Sequence, residues 1–170
     1  GATFGIEAGD ELYEVFAEMS RAVGGVPLNV PAEARPLYHA ASVLACGYLT
    51  TLLREARRAW EAAGLPEDAG RLAIGAIAEA TVANARSLGE GSTVTGPVSR
   101  GDTGTIRLHL ESIRALAPEL LPLYTAISRR SAVLSLEAGR PTQGLPAWDE
   151  LYEEFVSSAL GERPQTEEEG

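Results

Sequence analysis

The sequence predicts a mainly α-helical protein that begins with a short strand-helix-strand unit. From Pro31 onward, apolar residues recur at helical spacing, and no segment alternates apolar with polar residues. Before that point, Thr3 to Glu7 and Val26 to Val30 are short apolar runs of strand length. They flank a segment of helical periodicity from Asp10 to Val23, which Gly24 and the following glycine end.

Glycine and proline positions divide the remainder of the chain into successive helices. The last of them is amphipathic, with aromatic and aliphatic residues at helical spacing. The predicted helices run from Pro31 or Pro36 to about Ala63, from about Pro66 to Leu88, from an N-cap at Asp102 to about Ala117, from Pro118 to about Ala138, and from Ala147 to Leu160.

The strand-helix-strand unit predicts a larger sheet than its own two strands can form. Two parallel strands cannot cover both faces of a sheet or satisfy both of its edges. We therefore expect residues 1–30 to be the end of a larger α/β sheet, residues 31–160 to be a helical domain, and residues 161–170 to be a disordered acidic tail. The chain begins at Gly1 without a methionine, so we expect the earlier strands to lie upstream.

Composition excludes several classes of function. The chain has 170 residues, of which 45% are hydrophobic and 22% charged, and its formal charge is −10. This charge repels a phosphate backbone, so we expect no nucleic-acid partner. The sequence has no apolar run of membrane-spanning length, and its single cysteine and two histidines predict neither a disulfide nor a metal site. A cytoplasmic location fits this composition.

The segment Y-H-A-A-S-V-L-A-C-G-Y, from Tyr38 to Tyr48, predicts one wall of a ligand cleft. On a continuous helix its polar side chains share one stripe. The stripe comprises Arg35, His39, Ser42, Cys46 and Thr50. The alternative for His39 is a hydrogen-bonded residue at a helix seam, and the favoured interpretation of Cys46 is a small buried apolar residue.

The segment T-G-P-V-S-R-G-D, from Thr95 to Asp102, predicts the opposite wall. Its glycines permit unusual backbone conformations, and Pro97 stiffens the turn. Arg100 has the planar guanidinium that binds a carboxylate or phosphate through two hydrogen bonds. Asp102, as a helix cap, would oppose an anion close by, so a plain loop between helices is the alternative.

No glycine-rich dinucleotide motif, phosphate-binding loop or nucleophile elbow is present. The sequence therefore predicts no nucleotide or cofactor site of its own.

These segments, in this order, resemble the helical C-terminal domain of Rossmann-like NADP oxidoreductases of uncharacterised type. The resemblance runs from about Gly1 to Leu136 and rests on P-A-E-A-R-P-L-Y-H-A-A-S-V-L-A-C-G-Y-L and T-G-P-V-S-R-G-D-T-G-T. More distantly, the layout is similar to pyrroline-5-carboxylate reductase and ketopantoate reductase. The resemblance implies a helical bundle of the 6-phosphogluconate-dehydrogenase C-terminal type in residues 31–160. It also implies that residues 1–30, a strand-helix-strand remnant of a Rossmann sheet, are the end of a Rossmann-like nucleotide domain.

The resemblance implies the substrate-binding and dimerisation part of an NAD(P)-dependent oxidoreductase that acts on a small oxo or imino acid. It implies NADP as cofactor, bound largely outside this chain, and a homodimer. His39 is then the candidate catalytic residue, and the candidate substrate-binding residues are Ser42, Thr95, Gly96, Pro97, Ser99 and Arg100. Cys46-Gly47 replaces the usual Ser-Asn, which puts the group that polarises the carbonyl in doubt. The alternative function is a non-catalytic helical dimerisation or interaction module.

Overall fold

The computed structural model of the protein describes residues 1–140. It confirms a mainly helical protein with a two-stranded parallel sheet at its N-terminus. The elements are β1 (Thr3–Ile6), α1 (Asp10–Ala22), β2 (Val26–Asn29), α2 (Arg35–Val43), a π-helical segment (Leu44–Tyr48), α3 (Leu49–Ala62), α4 (Glu67–Leu88), α5 (Glu90–Thr93), α6 (Pro97–Arg100), α7 (Thr103–Leu116), a 3₁₀ turn (Pro118–Leu120) and α8 (Leu121–Glu137).

Residues 31–140 contain helices and turns but no strand, as the apolar spacing predicts. The predicted helix from Ala147 to Leu160 and the predicted acidic tail lie outside the described residues. Within residues 1–140, no helix has both the length and the apolar character needed to cross a bilayer.

Internal contacts divide the chain into two compact units, the first from Gly1 to Leu52 and the second from Leu53 onward. These units are defined by contacts and not by function. That residues 1–30 are the end of a nucleotide domain therefore stays a prediction.

The first unit is built on the pairing of β1 with β2. The strands are parallel, with Thr3 opposite Val26 and Ile6 opposite Asn29. Helix α1 connects them and buries Ala17 completely. Two further buried apolar residues lie at the carboxyl ends of the strands, where Ile6 ends β1 and Val30 directly follows β2.

The core of the second unit lies among α6, α7 and α8. It is formed by Val98, Ile106, Leu110, Leu121 and Ala132. One stripe of α8 is buried, and its members follow at steps of four and three: Leu121, Thr125, Ser128, Ala132 and Ser135. Most of these side chains are small, which lets α6 pack closely against α8.

Candidate functional site

A crevice opens at the carboxyl ends of the two strands in the first unit. Its volume is about 390 Å³, and it is lined by Gly5, Glu7, Val30, Arg35 and Tyr38. Open α/β sheets bind their ligands at this edge, outside the carboxyl ends of parallel strands. The crevice is therefore the position in this unit where the fold favours ligand binding.

Tyr38 lies directly against Gly5 of β1. A Cβ added at Gly5 would be 2.9 Å from the Tyr38 hydroxyl oxygen and 3.0 Å from Cζ, which is closer than such atoms approach. Glycine at this position therefore allows the Tyr38 ring to lie on the strand. The contact places the phenol of Tyr38 in the wall of the crevice.

Glu7 and Arg35 form an ion pair across the crevice. Nη1 of Arg35 donates to Oε2 of Glu7 at 3.1 Å, although the residues are 28 positions apart in the sequence. Glu7 follows the last residue of β1, and Arg35 is the first residue of α2. Both side chains are substantially exposed, so the pair contributes little to stability.

His39 and Ser42 both lie on α2, and both are exposed. The hydroxyl of Ser42 donates to the carbonyl oxygen of Tyr38 at 3.1 Å, within the same helix. Cys46 is exposed, so the interpretation of this cysteine as a buried apolar residue is wrong for the single chain. The unit packs this part of the helix against too few partners to bury it.

The predicted polar stripe ends at the π-helical segment, Leu44–Tyr48. A π turn inserts one extra residue and so turns the residues that follow by about 100° around the helix axis. Thr50 therefore leaves the face shared by His39 and Ser42. Instead, its hydroxyl donates to the carbonyl oxygen of Cys46 at 3.1 Å.

In the second unit, the predicted loop from Thr95 to Asp102 contains the helical turn α6. Gly96 precedes it at φ 104° and Gly101 follows it at φ 66°, both in the region that favours glycine. Pro97 occupies the first helical position, where the missing N–H costs nothing. The two glycines and the proline are thus explained by the ends of a short helical turn. Sequence reasoning predicted a loop here and missed this turn.

The side chains of this turn divide into an inner and an outer set. Val98 and Ser99 are buried, and the Ser99 hydroxyl donates to the carbonyl oxygen of Gly96 at 3.0 Å. Thr95 and Arg100 are exposed. A ligand would therefore reach Thr95 and Arg100 directly, whereas Ser99 already has a partner within its own turn.

Asp102 caps α7, as the sequence predicts. Its Oδ1 accepts from the Thr105 amide at 3.0 Å, and its Oδ2 accepts from the Thr105 hydroxyl at 2.7 Å. The hydrogen bond from the Thr105 amide has the largest effect and lowers the pKa of Asp102. The hydrogen bond from the Thr105 hydroxyl and the positive charge of Arg100 act in the same direction. Asp102 is thus held ionised two residues from Arg100.

His39 belongs to the first unit and Arg100 to the second. Each is exposed within its own unit. That the two share one pocket, and that they act on a common substrate, stays a prediction.

Sequence reasoning did not select Gly5, Glu7 or Tyr38 as site residues. The signal was present, since Glu7 is the last residue of the strand predicted from Thr3 and Tyr38 begins the Y-H-A-A segment. The missing information was the position of α2 against the sheet, which places Arg35 and Tyr38 beside residues 5–7.

The turn from β1 to α1 does not fit the pyrophosphate of a dinucleotide. Such turns use several glycines and open helix amides. Here Glu7 precedes the turn, and Asp10 and Glu11 occupy the first turn of α1, where their charges would repel phosphate. Within residues 1–140, no cluster of three or more potential metal-binding side chains is found.

The fold and crevice define a mainly helical domain with a short strand-helix-strand unit before it. Residues 2–131 match the family described as "Domain of unknown function (DUF2520)", and the chain belongs to this family. Searches of curated proteins and of solved structures gave no match.

Proposed function

We propose that this chain is the substrate-binding and dimerisation portion of an NAD(P)-dependent oxidoreductase that acts on a small oxo or imino acid. The observation that carries the proposal is the crevice at the carboxyl ends of β1 and β2. Parallel strands joined by a helix are typical of nucleotide-binding α/β sheets, and this edge is where such sheets meet their ligands. A helical domain that follows such a sheet is the arrangement that the sequence resemblance implies.

The cofactor phosphates are assigned to a nucleotide domain outside this chain. The acidic turn between β1 and α1 supports this, because Glu7, Asp10 and Glu11 oppose a pyrophosphate. The reduced cofactor, NADPH, would supply the hydride when bound and would leave as NADP⁺. The residues of this chain would bind and orient the substrate, and the proposed location is the cytoplasm.

Two exposed side chains have the chemistry that such a substrate needs. Arg100 is proposed to bind the substrate carboxylate through two charge-assisted hydrogen bonds. His39 is proposed as the proton donor, because a ring nitrogen of its exposed imidazole can donate a proton to a substrate oxygen or nitrogen. Thr95, Gly96 and Pro97 would line the site, and Ser42 would lie one helical turn from His39.

Exposed apolar residues on α4 support association of two copies. Gly70, Ile74, Ile77 and Leu88 share one face of this helix by their spacing. Gly70 is buried, but Ile77 is 66% exposed and Leu88 is 64% exposed, so this face is covered only near the start of the helix. A second copy that covers the rest would remove the exposed side chains of Ile77 and Leu88 from water.

The test of the proposed activity is NADPH oxidation by a protein that carries this chain together with a dinucleotide-binding domain. It is assayed against a panel of small oxo and imino acids. Arg100→Ala should raise KM with little change in kcat, because it removes binding present in ground and transition states alike. His39→Ala should lower kcat by about 10²-fold or more, and Arg107→Ala, an exposed arginine on α7, is the matched control.

A non-catalytic interaction module is the second candidate. Two observations favour it: the burial of Ser99 with its hydroxyl bonded inside its turn, and Gly47 in place of the asparagine that the resemblance implies. On this reading the protein associates with a partner or with itself but oxidises no NADPH with any substrate of the panel. Measurable activity with unchanged kinetics in both the Arg100 and His39 variants would instead overturn the roles proposed for these two residues.

A further inference from the structure

The ion pair between Glu7 and Arg35 lines the crevice without a function in the proposal above. We propose that this crevice is a binding site for a small monocarboxylate, and that Arg35 binds the ligand by exchanging its Glu7 partner for it. The inference stands on the geometry of the first unit alone. It concerns equilibrium binding, and it holds whether or not the protein is an oxidoreductase.

The contact of Arg35 with Glu7 is one that a ligand can replace. It runs through a single guanidinium nitrogen at 3.1 Å, and the Arg35 side chain is 71% exposed. A guanidinium has five N–H donors in a planar fork that matches a carboxylate through two hydrogen bonds. A free carboxylate can therefore form a two-pronged contact in place of the single contact described here.

The surrounding charge selects a monocarboxylate over a dianion. The chain carries a formal charge of −10, and the carboxylate of Glu7 lies beside the proposed site. These charges oppose a phosphate dianion more strongly than a singly charged ligand. The positive end of α2, which begins at Arg35, adds a local attraction for one negative charge.

The crevice also limits the size of the ligand and offers it a further polar group. A volume of about 390 Å³ lies near the small end of the range for ligand pockets. The Tyr38 hydroxyl, held against Gly5, lines the same crevice and can donate a hydrogen bond to a ligand oxygen. The chemical class is thus a short carboxylate with a polar oxygen, such as a 2-oxo or 2-hydroxy acid.

The test is titration of the full chain with sodium pyruvate at constant ionic strength, followed by NMR of the arginine side-chain Nε–Hε signals. The signal absent from Arg35→Gln identifies Arg35. We expect this signal to shift in a saturable way. The affinity of each variant is measured through the backbone amide signal of Gly5, which lines the crevice. Arg35→Gln should weaken pyruvate binding about tenfold or more, the fold-change typical for loss of a charge-assisted pair.

Glu7→Gln should have the opposite effect, because it removes the competing partner. Pyruvate should then bind about two- to fivefold more tightly, the gain typical for release of an exposed ion pair. The matched controls are Arg54→Gln and Glu61→Gln, which break an exposed arginine-glutamate pair of 3.0 Å in the second unit. Neither control should change pyruvate binding.

Several results would overturn the inference. The Arg35 signal could fail to respond to pyruvate, Arg35→Gln could match Arg54→Gln, or Glu7→Gln could weaken binding or match Glu61→Gln. Tighter binding of inorganic phosphate than of pyruvate would overturn the assignment to a monocarboxylate. If Arg35→Gln does not fold, the sign of the Glu7→Gln effect decides the question. Loss of NADPH activity has no bearing on these outcomes.

Discussion

The indole of Trp60 lies against the backbone of Gly70 at the start of α4. A Cβ added at Gly70 would be 2.7 Å from Cδ1 and 2.9 Å from Nε1 of Trp60. The indole is held in place, because its Nε1 donates to the carbonyl oxygen of Pro66 at 3.0 Å. Trp60 thus fixes the connection between α3 and α4 through one contact with a glycine and one hydrogen bond.

We expect Gly70→Ala to destabilise the protein by about 1 to 3 kcal/mol, because the new methyl group must displace a hydrogen-bonded indole. Gly75→Ala is the control on the same helix, where an added Cβ meets open space. This control should stabilise the protein by about 0.5 to 1 kcal/mol through helix propensity. Urea unfolding measures both, and equal stabilities of the two variants would contradict the packing described for Trp60.

Gly96→Ala should destabilise the protein by about 1 to 3 kcal/mol through backbone strain alone. Gly96 has φ 104° and ψ −178°, and an added Cβ would touch nothing. Gly104→Ala on α7 is the control, since its added Cβ would lie 3.7 Å from Asp102 Oδ1 in ordinary contact. Thermal unfolding should show a lower midpoint for the Gly96 variant, and an unchanged midpoint would argue against this backbone conformation.

The cap of α7 should make stability depend on pH. The pKa of Asp102 is lower in the folded protein than in the unfolded chain, chiefly through the Thr105 amide. Its stabilisation is therefore fully present above the ordinary aspartate pKa, and is lost as pH falls through the lowered value. Urea unfolding across this acidic range should show that the free energy of unfolding of the wild type falls towards that of Asp102→Asn.

Thr105→Val provides the check on that mechanism. It removes the hydroxyl that donates to Asp102 Oδ2 at 2.7 Å but keeps the backbone amide. Part of the acid-dependent loss should therefore disappear, and the rest should persist. A pH dependence identical in the wild type and in Asp102→Asn would show that this cap is not its source.

Ile77→Glu should dissociate the proposed dimer, because it places a charge on the uncovered part of the α4 face. Light scattering at micromolar concentration should show the wild type at twice the chain mass and the variant at the chain mass. Leu12→Glu, at an exposed apolar position on α1, is the matched control and should remain dimeric. A monomeric wild type would contradict the association.

The turn around Pro97 illustrates the limit of sequence reasoning about local structure. Helix α6 has four residues, which is about one helical turn, so no periodicity can reveal it. The π-helical segment was not predicted for a related reason. The apolar spacing is helical both before and after it, so the sequence shows no interruption. In contrast, the cap at Asp102 was predictable from one residue, since its side chain bonds an amide three positions away.

The sequence by itself determined the long elements of this protein. Apolar spacing and the positions of glycine and proline act over a few neighbouring residues, and they place β1, β2 and the helices α1, α4, α7 and α8 close to their observed limits. Only the tertiary structure decided which side chains meet. Glu7 approaches Arg35, and Tyr38 approaches Gly5, through packing between segments that are distant in the sequence. Ser99 is buried because its helical turn packs against other helices. Local sequence patterns do not encode either kind of packing.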